Sequence, residues 1–181
     1  MNKNIYVVSG GPGFGKSALI DALEKKGFYV GKDVAREFIE EQKRTGGKIL
    51  HYVHRLEFNK EVLQRRIKQY KDTPENKICF FDRGIPDLIA YLVKYELKVP
   101  NEFYEAANKY KYQKTVFFTP PWQEIFENDP KKRHENFEEA VSIHNTIEKV
   151  YQELGYEIIN IPKTSVSERV EFVLLKTGVE K

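Results

Sequence analysis

The sequence predicts an α/β fold in which a parallel sheet carries helices on both faces. Three observations predict it. Residues 5–8, 78–81 and 115–118 are short, continuous apolar runs, the pattern of strands buried on both sides. Apolar residues recur at helical spacing in the segments between them. Glycine, proline and aspartate mark the points where one pattern gives way to the other.

The first run, 5–8, is closed by a glycine cluster, after which Ala18, Leu19, Ala22 and Leu23 share a helix face until Gly27 stops it. Residues 28–30 form a candidate second strand, and Asp33 a candidate cap for a helix over about 34–43. Gly46 and Gly47 break that pattern. A long polar helix is expected over about 51–71, with Leu56, Leu63 and Ile67 pointing inward and Pro74 beyond its end. Its Arg55, Lys60, Arg65, Arg66, Lys68 and Lys71 read as a wet surface.

The run at 78–81 stops at Asp82-Arg83-Gly84, with helices expected from Pro86 and over about 102–110. Residues 115–118 lead into Thr119-Pro120-Pro121, and the composition then turns to Pro, Asp, Asn and Lys as far as His134. That stretch, about 120–135, reads as a mobile excursion. Phe137, Ala140, Val141, His144, Ile147, Tyr151 and Leu154 mark one face of a long helix stopped by Gly155. Residues 156–161 form the last strand. Ser165 and Glu168 have capping-box spacing, and Val166, Val170, Val173 and Leu174 give the final helix its stripe.

A chain of 181 residues suits one domain with a well-buried core and is short for two, so residues 1–181 are expected to form a single unit. Eleven tyrosines, twelve phenylalanines and one tryptophan exclude a disordered chain. Thirty basic residues against 27 acidic ones leave a net charge of +3, which calls for neither nucleic acid nor an anionic membrane as partner. The single cysteine, Cys79, excludes an internal disulfide and gives no zinc spacing, so cytoplasm is the expected compartment. The apolar stretch near the N-terminus is too short for a signal-peptide core, and no run is long enough to span a bilayer.

Residues 10–17, GGPGFGKS, satisfy G-x-x-x-x-G-K-S/T between a strand and a helix. Glycines let the backbone curl so that successive N–H groups face one point, and the helix that follows adds the positive end of its dipole. The occupant expected is a nucleotide polyphosphate. Gly11, Gly13, Phe14, Gly15, Lys16, Ser17 and Ala18 are its candidate ligands, with Lys16 reaching the β- and γ-phosphates and Ser17 ligating Mg²⁺. A dinucleotide fingerprint fails because its third glycine would fall at Lys16.

Asp82 sits where a buried strand ends, a place where ligands collect in open α/β sheets, and its carboxylate can serve the metal. Arg83 beside it can bridge phosphate oxygens. Asp87, a further candidate for binding substrate, lies in the first turn of the next helix, where the dipole alone favours a carboxylate. Asp33 and Arg36, three apart after the second strand, can receive the proton of an attacking hydroxyl and steer an acceptor, or can form only an N-cap and an ion pair. Lys131, Lys132 and Arg133 fall in the excursion, where a basic lid would stabilise spreading negative charge; Arg133 is the foremost candidate. His51, His54 and His144 lack a third ligand at metal spacing.

Neither Asn59-Lys60 nor Asn108-Lys109 is followed two places on by the aspartate of a guanine reader, which favours ATP. Arg83 stands where a remodelling ATPase carries a glutamate after its strand-end aspartate. Through GGPGFGKS, DVAREFIEEQ, FDRGIPD, FFTPPW and RHENFEEA…YQELGYEIINIP…SERVEFVL, the chain resembles the AAA_28-type P-loop ATPase/kinase family, which includes the ribosylnicotinamide-kinase domain of the bacterial NadR protein. The resemblance implies the three-layer P-loop NTPase fold of nucleoside and nucleotide kinases, with strand order 2-3-1-4-5 and a lid before the penultimate helix. It also implies phosphate and Mg²⁺ binding by Gly13, Gly15, Lys16 and Ser17, with Asp82 and Arg83 flanking the transferring group and Arg133 acting from the lid. Relatives often carry glutamate where Asp33 stands.

The function expected is an ATP- and Mg²⁺-dependent kinase acting on a small, nucleoside-like acceptor, with Asp33 or Asp82 positioning its hydroxyl. Two rival expectations are a nucleotide phosphohydrolase, with water as acceptor, and a nucleotide-sensing module with negligible turnover.

Overall fold

The computed structural model describes residues 3–127 and 135–178. Along them the chain runs β1 (Ile5–Ser9), α1 (Lys16–Lys25), β2 (Tyr29–Gly31), α2 (Val34–Thr45), α3 (Arg55–Asp72), β3 (Cys79–Asp82), α4 (Ile85–Lys94), α5 (Asn101–Lys109), β4 (Thr115–Phe118), α6 (Gln123–Glu127), α7 (Phe137–Glu153), β5 (Glu157–Asn160) and α8 (Val166–Thr177). The strands form one sheet in the order β2-β3-β1-β4-β5. Every neighbouring pair is parallel. That is the topology the resemblance implied, a P-loop NTPase sheet with helices on both faces.

Alternation along the strands builds the three layers. Ile5, Val7, Cys79, Phe81, Val116 and Phe118 face a core shared with α2, α3, α4, α5 and α7. Val8, Phe80 and Phe117 turn the other way, onto Leu19, Ile20 and Leu23 of α1 and Val170 and Val173 of α8. With both faces covered, a polar residue has no wet side to occupy, so the central strands read as continuous apolar runs. Replacing one of these fully buried phenylalanines by alanine would cost about 3–5 kcal/mol.

Caps fix where the helices start. The Asp33 carboxylate accepts the Ala35 N–H at 3.1 Å, and Asn136 accepts from Glu139 N–H at 2.8 Å. Ser165 and Glu168 close the expected capping box at α8. Among the described residues no helix is long and apolar enough to cross a membrane.

Two expectations need correction. The helix expected from residue 51 begins at Arg55, because the N–H groups of Val53 and His54 both turn back to the Leu50 carbonyl. Its inward face is Phe58, Val62, Leu63, Arg66 and Tyr70, while Leu56 and Ile67 are only partly buried. Arg66 is therefore no wet-surface residue: 1 % of it is exposed. Residues 123–127, within the stretch expected as an excursion, form α6, whose Phe126 packs against Phe14 and Phe137. Arg133, with Lys131 and Lys132, lies outside the described residues.

Candidate active site

The sheet order reverses at β1, whose neighbours β3 and β4 belong to successive halves of the chain. The backbone N–H of Arg83 donates to Val8 O at 3.0 Å and that of Thr119 to Ser9 O at 3.0 Å, so both neighbours stay bonded to β1 up to its carboxyl end. A crevice opens at such a switch point. Residues 10–15 fill its floor.

Gly13 and Gly15 adopt φ values of 77° and 82°, conformations in which a β-carbon is strained, and the turn they make delivers the chain into α1. The start of α1 has no side-chain cap and no acidic residue in its first turn, so its positive end is left for an anion. Lys16 is buried, with its ammonium donating to the carbonyls of Gly10 at 3.0 Å and Gly11 at 2.6 Å. Burial, and then the Arg83 guanidinium, pull the Lys16 amine down to about 7. Phe14 points away from the anion site, into the cluster with Phe126 and Phe137, so only its backbone can serve a phosphate. The Ala18 side chain faces solvent.

Ser17 and Asp82 meet as expected, with Ser17 Oγ donating to Asp82 Oδ2 at 3.3 Å. Asp82 is buried, and its Oδ1 has no partner among the described residues. Burial and the neighbouring Asp33 carboxylate raise its pKa, while Lys16, Arg83 and Arg66 oppose the rise. A buried carboxylate oxygen without a donor beside a serine hydroxyl suits a hard divalent cation with oxygen ligands, so these residues fit Mg²⁺. Among the described residues there is no cluster of three or more His, Cys, Asp or Glu that could hold a metal by itself.

Arg83 has φ 71°, a left-handed conformation that non-glycine residues seldom enter. It aims the guanidinium back over the loop, where Nη1 donates to Gly10 O at 3.1 Å and to Asp87 Oδ1 at 3.0 Å. Asp87 also accepts from Ser9 Oγ at 2.6 Å, Gly84 N–H at 2.8 Å and the Tyr151 hydroxyl at 2.6 Å. Two donors thus occupy each of its oxygens. Burial and the Asp87 carboxylate hold the Tyr151 phenol well above its ordinary pKa, which keeps it a donor. Asp87 consequently anchors Arg83, and its oxygens are not free for a substrate.

Asp33 comes within 3.9 Å of Arg83 Nε and 4.0 Å of Arg66 Nη2. With Arg36, Lys32, Ser17 and Asp82 it lines a cavity of about 240 Å³ beside the loop. Asp33, Arg36, Ser17 and Asp82 are therefore brought together. A second depression of about 320 Å³, lined by Asn108, Lys111, Lys114 and Tyr156, lies at the amino ends of β4 and β5, far from this chemistry. None of the unpartnered buried polar atoms lines it.

Sequence reasoning missed three residues. Arg66 donates to the Asp82 carbonyl at 3.0 Å, bracing the end of β3 from behind; its place on the same stripe as Val62, Leu63 and Tyr70 is the signal that marks it. Arg169, on α8, is buried with Nε unpartnered among the described residues, lies 3.5 Å from Gly15 O and covers the Trp122 ring. His144, noted only for its apolar helix face, has its Nδ1 3.3 Å from the Gly11 N–H. Nothing in the local sequence links either residue to the loop.

A family model described as an AAA domain, AAA_28, matches residues 5–169. No curated protein matches. Among solved structures, deoxyadenosine kinase from M. mycoides, with products dCMP and a flexible dCDP bound, aligns with a TM-score of 0.70 at 17 % identity, over 98 % of this chain and 100 % of that one. NadR protein in complex with NR aligns with a TM-score of 0.73 at 18 % identity, over 98 % of this chain but 52 % of that one, so this chain spans about half its length. Thymidylate kinase from Ehrlichia chaffeensis gives 0.64 at 12 % identity, over 98 % and 100 % of the two chains. At such identities these likenesses are likenesses of fold.

Proposed function

The chain belongs to the AAA_28 family of AAA domains, and from that membership and the groups around residues 10–17 we propose that it is a Mg²⁺-dependent phosphotransferase. It moves the γ-phosphoryl group of ATP to a hydroxyl of a small, nucleoside-like acceptor. The kinases that share its fold support the reaction class; one neighbour carries dCMP and dCDP as products, and NadR protein is in complex with NR. The observation that carries the proposal is the grouping of Asp33 and Arg36 with Ser17 and Asp82 around one open depression of about 240 Å³ beside the loop.

Ser17 and Asp82 would hold Mg²⁺, which when bound neutralises charge on the β- and γ-phosphates. The chain's own groups divide the rest. Lys16 and the loop amides hold the triphosphate, and Arg83, fixed by Asp87, bears on the transferring group. Asp33 takes the proton of the acceptor hydroxyl, since Asp82 is committed to Ser17 and the metal, and Arg36 orients the acceptor from the cavity wall. Arg169 and Trp122 support placing the base of the donor on the α8 side of the loop. Arg133 completes the set in this reading, acting from the segment before α7.

The test is ADP release from Mg·ATP with a panel of nucleosides, ribosylnicotinamide and short polyols. Release that depends on one acceptor class, and is lost in Lys16→Ala, is the result expected. Steady phosphate release without any acceptor would replace the kinase by a phosphohydrolase, and tight binding without product would leave a sensing module.

A further inference from the structure

We infer that His144 is a positioning residue of the phosphate loop, holding the Gly10–Gly11 peptide in the one orientation that turns its carbonyl toward Lys16 and Arg83. The inference starts from a trans peptide, whose C=O and N–H point in opposite directions across one rigid plane. Among the described residues there is no cis peptide. The N–H of this plane is that of Gly11, and it meets His144 Nδ1 at 3.3 Å. Its C=O is that of Gly10, and it receives Lys16 Nζ at 3.0 Å and Arg83 Nη1 at 3.1 Å. One acceptor on α7 thus opposes two cations across a single plane.

That orientation needs a guard, because a Gly-Gly peptide has no side chain to resist a flip. A flipped plane would aim N–H at two cations and leave the carbonyl against the imidazole. His144 is well placed to prevent it: its ring is buried between Phe118, with centroids 5.5 Å apart, and Phe14, at 6.0 Å. Helix α7 also crowds the loop directly, since a β-carbon on Gly11 would lie 2.5 Å from the Ala140 carbonyl. Accepting at Nδ1 requires the tautomer with its proton on Nε2, the nitrogen 3.9 Å from Glu148 Oε2. Burial, and then Lys16, lower the imidazole pKa to about 4, which keeps Nδ1 free to accept near neutrality. The consequence for catalysis, that this plane sets the reach of Lys16 and Arg83 to the triphosphate, rests on the function proposed above; the hydrogen bond itself does not.

The experiment uses the full ¹⁵N-labelled chain. Ring-nitrogen spectra of free wild-type protein at pH 7 should show His144 as a single Nε2–H tautomer, with the Gly11 amide slow to exchange. His144→Asn, whose side-chain oxygen can take over the acceptor near Nδ1, should keep affinity for Mg·ATP and for inorganic tripolyphosphate within about threefold of wild type. His144→Leu should weaken both by about tenfold, the cost of one neutral hydrogen bond in a buried site. An Nδ1–H tautomer, or wild-type tripolyphosphate affinity in a folded His144→Leu protein, would overturn the inference. If His144→Leu does not fold, the wild-type ring spectrum and the rescue by asparagine decide. Absence of any triphosphate binding by wild type would remove the proposed function, while the tautomer would still report on His144.

Discussion

The phosphate loop has two flanks, and they are finished differently. Toward α4 and α7, Asp87 takes two donors on each oxygen, Tyr151 and Ser9 spend their hydroxyls on it, and His144 accepts from Gly11. Toward α2 and α3, Asp82 keeps an oxygen unpartnered among the described residues, and Asp33 and Arg36 border open space. A fully bonded polar network in a poorly screened interior makes a rigid frame, whereas an unfinished one is stable only if something else completes it. The contrast separates a fully bonded frame from a side that borders open space.

Removing Asp87 would break the contrast most severely. Asp87→Ala strands Arg83, Ser9, Tyr151 and the Gly84 amide in a buried place, and a loss of about 3–5 kcal/mol is expected in urea or thermal unfolding. Asp33→Asn should do the reverse. Asparagine caps a helix as well as aspartate, so stability should change by less than about 0.5 kcal/mol, while acceptor-dependent turnover falls by about 100-fold or more through loss of the base. A large unfolding effect at Asp33, or an intact rate there, would erase the distinction between the flanks.

The smallest effect concerns acid. The His144 imidazole has its folded pKa below the ordinary 6.5, at about 4, so between those values the unfolded chain binds more protons. Its contribution to stability is therefore present above about 6.5 and is lost as pH falls through about 4. Carboxylates contribute in the same range, so the measurement is a difference: from pH 7 to 4 wild type should lose about 1–2 kcal/mol more than His144→Asn, allowing for solvent screening. Parallel curves would mean the imidazole is not held neutral by its surroundings.

Legibility follows the same division, for a physical reason. The loop could be read because glycine, lysine and serine do their work within eight consecutive residues. Asp82 and Arg83 could be read because a strand end is visible where an apolar run stops. Arg66 was obscured by the charged residues around it, although the helical period places it on the stripe of Val62 and Tyr70. Asp87 looked like a dipole-favoured carboxylate because its partners Ser9 and Tyr151 stand 78 and 64 residues away. His144 and Arg169 reach the loop from helices that only the finished topology brings beside it. Contacts made within a turn are written locally; those made across layers are written in packing.

Arg83 carries a consequence of its own. A left-handed conformation costs a side-chain-bearing residue about 1–3 kcal/mol, and glycine would adopt it freely. At that single position, glycine would relax the main chain but delete the guanidinium that answers the buried Asp87 carboxylate and the Gly10 carbonyl. The backbone strain is thus kept in place by the bonds that the same side chain makes, so tension in the main chain and cohesion of the loop come from one residue.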